Sequence, residues 1–159
     1  MGLKIRRVRE EDLESFVKVY REAYRGLEEY AYTDDKTIRW YFRWLRRRDP
    51  EGFFVAEADT PIGFVHCDTR WTSYPEGKKV GEIHELIVHP DWMRKGVGKT
   101  LILKAIEYSR SRGRDMVELW VGCTNYRAIN FYKKLGFEER GSSGIWIKMT
   151  KKTINSTST

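Results

Sequence analysis

The stretch Arg94-Lys95-Gly96-Val97-Gly98-Lys99 has the residue types and spacing that point most directly to chemistry. Its two glycines carry no Cβ and let the backbone come close to a ligand, with basic side chains on either side. An apolar, strand-like run ending at Val88 leads into the turn, and Leu101 and Ile102 open a helical pattern after it. A helix beginning at such a turn directs unpaired N–H groups and a partial positive charge back at it. That is a seat for phosphate. Upstream, Glu82, His84 and Glu85 lie close together on the strand. Strand alternation puts Glu85 on the opposite face from Glu82 unless a bulge intervenes.

The run Val80-Gly81-Glu82-Ile83-His84-Glu85-Leu86-Ile87-Val88-His89-Pro90, followed by the glycine turn, resembles motif A of the GNAT superfamily of acetyl-CoA-dependent N-acetyltransferases. In that family the turn holds the pyrophosphate of coenzyme A. Downstream, Asn125-Tyr126-Arg127-Ala128-Ile129-Asn130-Phe131-Tyr132-Lys133-Lys134-Leu135-Gly136-Phe137 is similar to the family's late helix, Asn-x-x-Ala-x-x-Phe-Tyr-x-x-x-Gly-Phe. The two motifs stand in the family's order, and the resemblance spans roughly residues 3–149. One departure is Met93, which falls where the family pattern has Gln or Arg. Because the seat is mainly backbone amide and helix terminus, Arg94, Lys95 and Lys99 are expected to supply the charge.

The resemblance implies an α/β fold: a mixed, mostly antiparallel sheet with a splayed parallel strand pair and flanking helices. The strands ending near Val88 and Val121 would be the parallel pair, with the cofactor's pantetheine inserted between them like an added strand. It implies an enzyme that moves an acetyl group from acetyl-CoA to a primary amine, on a small molecule or a peptide N-terminus, by direct attack and without a metal. The alternative is an acetyl-CoA-binding regulatory domain without catalysis. Leu86, Ile87 and Val88 would contribute backbone groups to the cofactor, Arg94 to Lys99 (Gly96, Val97 and Gly98 included) would seat the pyrophosphate, and Asn125 and Tyr132 would also contact it.

Acetyl transfer to an amine needs a neutral nitrogen, a polarised thioester carbonyl and a proton for the departing thiolate. An α-amino group with a pKa near 7.8 costs about 1 kcal/mol to deprotonate at pH 7, and a lysine near 10.4 costs about 4.6 kcal/mol, so the need for a base depends on the acceptor. By the resemblance, Tyr132 is the general acid that faces the coenzyme sulfur. The same resemblance puts a carboxylate early in the strand before the glycine turn, where Glu82 fits best. Glu85 is the second candidate base, and catalysis without a single base is the third possibility. The loop Arg25 to Asp35 corresponds to a segment that borders the acceptor in the family. Glu28, Glu29, Asp34 and Asp35 would attract a cationic amine there, with Tyr30 and Tyr32 shaping the pocket.

With 159 residues the chain suits one domain, and a domain of that size buries on the order of 70% of its unfolded surface without needing a covalent staple. The expected layout is a single N-acetyltransferase domain over 1–149 and a disordered polar tail over 150–159. Cys67 and Cys123 lie in apolar runs without metal-like spacing and read as buried free thiols in a reducing compartment. There are 30 Lys and Arg against 23 Asp and Glu, a net charge of +7, which favours anionic partners. Coenzyme A satisfies that preference. Nucleic acid is not expected, because the basic clusters lack interleaved aromatic platforms and a recognition-helix signature. No apolar run approaches the roughly 20 residues of a membrane span and no signal-peptide core opens the chain, so a cytoplasmic location is expected. An exposed last hairpin would permit a homodimer.

The positioning elements follow from periodicity. Lys4 to Val8 alternates as a first strand; Leu13, Phe16, Val17, Tyr20 and Tyr24 recur at helical spacing; Thr33 opens a second helix that closes at Asp49-Pro50. Phe53 to Ala58, Ile62 to Thr69 and Val80 to His89 form a meander, and the helix after the glycine turn stops near Gly113. Met116 to Gly122 reads as a buried parallel strand, Tyr126 to Leu135 as a helix, and Glu138 to Lys148 as a hairpin turning at Gly141-Ser142-Ser143-Gly144.

Overall fold

A computed structural model describes residues 2–154. The strands are β1 (Lys4–Arg7), β2 (Phe53–Glu57), β3 (Pro61–Thr72), β4 (Lys79–Val88), β5 (Met116–Gly122), β6 (Glu138–Ser143) and β7 (Trp146–Lys152). The helices are α1 (Leu13–Ala23), α2 (Asp35–Arg48), α3 (Val97–Ser111) and α4 (Tyr126–Lys134). The seven strands form one sheet in the order β1-β2-β3-β4-β5-β7-β6. Every neighbouring pair is antiparallel except β4–β5. This is the α/β architecture expected from the sequence.

Helices cover both faces, and each face has its own apolar core. On one, Phe16 and Tyr20 of α1 and Ile38, Phe42 and Leu45 of α2 pack on Phe53, Val55, Phe64 and Ile87. On the other, Leu101, Ile102 and Ala105 of α3 and Ile129 of α4 pack on Val65, Cys67, Val117, Leu119 and Met149. The apolar positions repeat every three to four residues along the helices, so each helix has one stripe to bury.

The feature that makes a site is the parallel pair. β4 and β5 share three rungs, Gly81↔Val117, Glu82↔Glu118 and Ile83↔Leu119. Beyond Ile83, β4 continues to Val88 paired only with β3, while β5 continues to Gly122 paired with β7. The two strands therefore diverge, and the β5-facing edge of His84 to Val88 has no strand partner among the described residues.

Several local expectations are corrected. The α2 cap is Asp34, whose carboxylate accepts the Thr37 N–H at 2.9 Å; Thr33 lies one residue too early to reach it. The last hairpin turns at Gly144 and Ile145, where Gly144 adopts φ +58, and Gly141 to Ser143 belong to β6. β7 runs past Lys148, with Thr150, Lys151 and Lys152 paired to Glu118, Val117 and Met116, so the expected disordered tail is strand at its start; residues 155–159 lie outside the described residues. Cys67 is buried, but Cys123 is exposed just past the end of β5. No helix among the described residues is long and apolar enough to cross a membrane.

Candidate active site

The glycine turn forms as its sequence predicts, and its backbone alternates in hand. Arg94 takes φ +62 and Gly96 φ +82, a conformation in which glycine costs least. Gly96 is the N-cap of α3, and among the described residues no side chain caps that end, so the first amides of the helix are open to an anion. Val97 is buried and anchors the helix start, while Arg94, Lys95, Gly96 and Lys99 are exposed around it. Lys95 holds its ammonium over the Trp92 ring at 5.1 Å. At Gly98 a Cβ would meet Phe131 of α4 at 3.4 Å, an ordinary van der Waals contact.

A bulge in β4 sets the carboxylates. His66 pairs with Glu85 and Cys67 with Ile83, which leaves His84 as the extra residue; Asp68 then pairs with Glu82. His66 and Asp68 are two residues apart and share a face, so their partners Glu85 and Glu82 share it too. Simple alternation puts them on opposite faces, and the bulge overrides it. The shared face is the one covered by α1 and α2.

Glu85 sits in a cage of tyrosines. Tyr24 donates to its Oε2 at 2.5 Å, and Tyr41 donates to its Oε1 at 2.9 Å and to the His84 carbonyl at 3.1 Å. Tyr20 packs on both Tyr24 and Tyr41. Burial pushes the Glu85 carboxyl up to about 7, with the two tyrosine hydrogen bonds pulling the other way. A carboxyl at that level exchanges protons near neutral pH, which is what a general base requires.

Glu82 has a different character. It is 3% exposed and faces Glu118 across the parallel rung, and its Oε1 has no hydrogen-bond partner among the described residues. Burial, followed by the neighbouring Glu118 carboxyl, pushes Glu82 well above the ordinary carboxylate range. Glu118 is held by the Ser73 hydroxyl at 2.5 Å and by Lys148 at 3.6 Å. Close by, Asp68 is ionised: burial opposes its charge, yet hydrogen bonds from His84 and Arg48 hold it at about 2.

Tyr132 belongs to α4, which packs on the opposite face of the sheet. It is 8% exposed, between Phe131 and Phe137. Burial raises its phenol, and the Glu85 carboxylate raises it further. The two side chains, one on β4 and one on α4, are therefore near enough for the Glu85 charge to act on the Tyr132 phenol. Asn125 is the N-cap of α4 and accepts the Ala128 N–H at 3.4 Å. Leu86, Ile87 and Val88 line the unpaired edge of the gap with their backbone.

Three of the four loop acids have local duties. Glu28 accepts the Gly26 N–H, Asp34 caps α2, and Asp35 pairs with Arg39 at 2.6 Å. The groups that periodicity alone does not single out are Tyr24, Tyr41 and Glu118. Tyr41 and Glu118 occupy regular helix and strand positions and Tyr24 is the C-cap of α1; each becomes distinctive only when the fold brings a carboxylate beside it.

The chain matches the model of the Acetyltransferase (GNAT) family over residues 13–137, and it belongs to that family. It is 51% identical to an uncharacterised N-acetyltransferase of Methanocaldococcus jannaschii over 149 residues, 93% of this chain and 66% of that protein, so it spans just under two thirds of that relative's length. It is 52% identical to an uncharacterised N-acetyltransferase of Archaeoglobus fulgidus, over 89% of this chain and 99% of that one. Among solved structures, PH1933 from Pyrococcus horikoshii superposes with a TM-score of 0.86 at 38% identity, covering 95% of this chain and 98% of that one. The PaiA N-acetyltransferase of Thermoplasma acidophilum, solved with coenzyme A, superposes with a TM-score of 0.76 at 27% identity, covering 96% and 99%.

Proposed function

We propose that this chain transfers the acetyl group of acetyl-CoA to a primary amine, with Glu85 as general base and Tyr132 as general acid. The observation that carries the reading is a near-neutral carboxyl on β4, in a cage of tyrosine hydroxyls, whose charge acts on the Tyr132 phenol of α4. The fit of the cosubstrate rests on two features of the chain. Free amides and cations at Gly96 to Lys99 suit a diphosphate, and the unpaired edge of Leu86 to Val88 suits an amide-bearing pantetheine arm. The PaiA N-acetyltransferase of Thermoplasma acidophilum, which shares the fold, was solved in complex with coenzyme A, and this supports coenzyme A as the ligand.

Bound acetyl-CoA supplies an activated acyl carbon. Glu85 takes a proton from the acceptor ammonium or from the attacking nitrogen; the C–N bond forms, the C–S bond breaks, and the Tyr132 hydroxyl gives its proton to the departing thiolate. Glu82 suits the role less well in this scheme, because burial beside Glu118 raises its carboxyl well above the ordinary carboxylate range. A purely regulatory acetyl-CoA-binding domain would have no use for a carboxyl held near 7 in a tyrosine cage. The free cysteines suit work in a reducing, cytoplasmic compartment.

The test is thiol release from acetyl-CoA with a panel of amines, for the wild type, Glu85→Gln and Tyr132→Phe. Each substitution should lower kcat by about 100-fold or more, the usual contribution of a positioned acid or base. Calorimetric affinity for coenzyme A should stay within about threefold, a difference under 1 kcal/mol. Undiminished turnover in Glu85→Gln would refute its assignment as base.

A further inference from the structure

Tyr30 fastens the loop between α1 and α2 across the gap. That loop belongs to the helices that cover β2 to β4, yet the Tyr30 ring lies on Gly122 at the end of β5, where a Cβ would clash with the ring. The same ring packs on Trp146 of β7 with centroids 5.4 Å apart. Its hydroxyl accepts the Thr124 N–H at 3.0 Å and pairs with the Thr124 hydroxyl at 2.5 Å. Gly122 follows Glu118 and Trp120 at two-residue spacing, so the strap crosses on the same face as Glu85. At its other root, the Tyr32 N–H donates to the Tyr20 hydroxyl at 3.0 Å. The two halves of the sheet are thus bolted together above the point where they part.

The two reacting groups are nearly closed off: Glu85 is 6% exposed and Tyr132 8%. Beside them an aromatic wall runs from Tyr32 through Tyr41 and Trp44 to His84 and Trp71, each in contact with the next. A peptide N-terminus is branched at the carbon bearing its amine, so its side chain and first carbonyl would have to fit where Tyr30 lies. An unbranched chain of methylenes passes through a narrower opening, and its ammonium is favoured by aromatic faces on the way in. The chemistry agrees independently of the shape. An alkylammonium needs a base to strip it near neutral pH far more than a peptide α-amino group does, and Glu85 is held where such a base belongs.

We infer that the acceptor is an unbranched primary alkylamine that threads beneath Tyr30, and that Tyr30 is the residue that excludes branched amines such as peptide N-termini. The inference rests on the acetyl-transfer reading above. Free alkylamines and the ends of lysine side chains share this chemistry, and separate substrates distinguish them.

Initial rates are measured with 1-aminobutane, an Nα-acetylated peptide containing one lysine, and a lysine-free peptide with a free N-terminus. For the wild type, kcat/KM with 1-aminobutane should exceed that with the free N-terminus at least tenfold; turnover of the blocked peptide assigns the source to protein lysines, and its failure assigns it to small amines. Tyr30→Ala should raise the rate on the free N-terminus at least tenfold without changing the KM for acetyl-CoA. Gly122→Ala displaces the ring by another route and should do the same, which covers the case in which Tyr30→Ala does not fold. Wild-type preference for the free N-terminus, or an unchanged ratio in both variants, overturns the inference and leaves acetyl transfer standing. No thiol release with any of the three amines overturns both.

Discussion

The Tyr24 hydroxyl lies 2.5 Å from Oε2 of Glu85, on a carboxyl whose other oxygen is held by Tyr41 at 2.9 Å. The three residues come from the C-terminus of α1, the middle of α2 and the bulged part of β4, so the pair exists only because both helices lie on that face of the sheet. Burial makes the charged carboxylate costly and the two phenols give part of that cost back. The balance places Glu85 at about 7, high enough to hold a proton and low enough to lose it.

Removing either hydroxyl should disturb that balance in one direction. The hydrogen bonds favour the ionised form, so Tyr24→Phe or Tyr41→Phe leaves burial less opposed and raises the Glu85 pKa. The acid limb of kcat/KM against pH should move up by about one unit in each variant, given 1.5 kcal/mol or more for a hydrogen bond to a charged group. A steady-state profile from pH 5 to 9 measures it. A limb that stays in place while only thermal stability falls would assign the tyrosines to packing alone.

Glu85 should also leave a mark on stability. Its pKa is raised from 4.5 in the unfolded chain to about 7 in the folded one, so between those values the folded state binds more protons. Stability from this group is fully present below pH 4.5 and is lost as pH rises through 7. Glu85→Gln has no such titration. Relative to the wild type it should gain stability between pH 4 and pH 8, by on the order of 3 kcal/mol for a separation of two to three units. Denaturant unfolding at the two pH values gives the difference directly.

The phosphate seat predicts a charge effect confined to cofactor binding. Arg94 and Lys99 are exposed beside the open amides of α3, and Met93 falls where the pattern of the resemblance has Gln or Arg. The double variant Arg94→Ala/Lys99→Ala should weaken coenzyme A binding about tenfold at low salt and less at high salt, since each exposed cation contributes about 0.3–1 kcal/mol. Met93→Arg should strengthen it by a few fold. Calorimetry at two ionic strengths separates these outcomes, and kcat at saturating acetyl-CoA should not change in either protein.

Much of this arrangement was legible from local pattern. The Gly96-Val97-Gly98 turn, the stripe of Leu101, Ile102 and Ala105, and the late helix around Tyr132 are encoded within short windows, where periodicity and turn chemistry act. Asn125 as cap of α4 is of the same kind. Legibility failed where the deciding contact was remote in sequence. Nothing near Glu85 announces that His84 will bulge, because the bulge is a property of register with β3. Tyr24 and Tyr41 each read as ordinary members of an apolar helix face. Tyr30 carries no sign that it will settle on Gly122, 92 positions along. Cys123 looked apolar by its neighbours, yet β5 ends one residue before it.

The two strand carboxylates offer a last and decisive contrast. Glu82 and Glu85 share a face, but burial and the neighbouring Glu118 push one well above the ordinary carboxylate range while the other is held at about 7. Because the folded pKa of Glu82 is raised, its contribution to stability is present at low pH and lost as pH climbs toward that raised value. Glu82→Gln removes this penalty without removing volume, so the variant and wild type should unfold alike at pH 4 and diverge in the variant's favour as pH rises. Its acid limb in kcat/KM should coincide with the wild-type limb, whereas Glu85→Gln should lose the limb along with most of the rate. If instead Glu82→Gln abolished the limb and Glu85→Gln retained it, the roles of the two carboxylates would be exchanged, and the tyrosine cage around Glu85 would be structural.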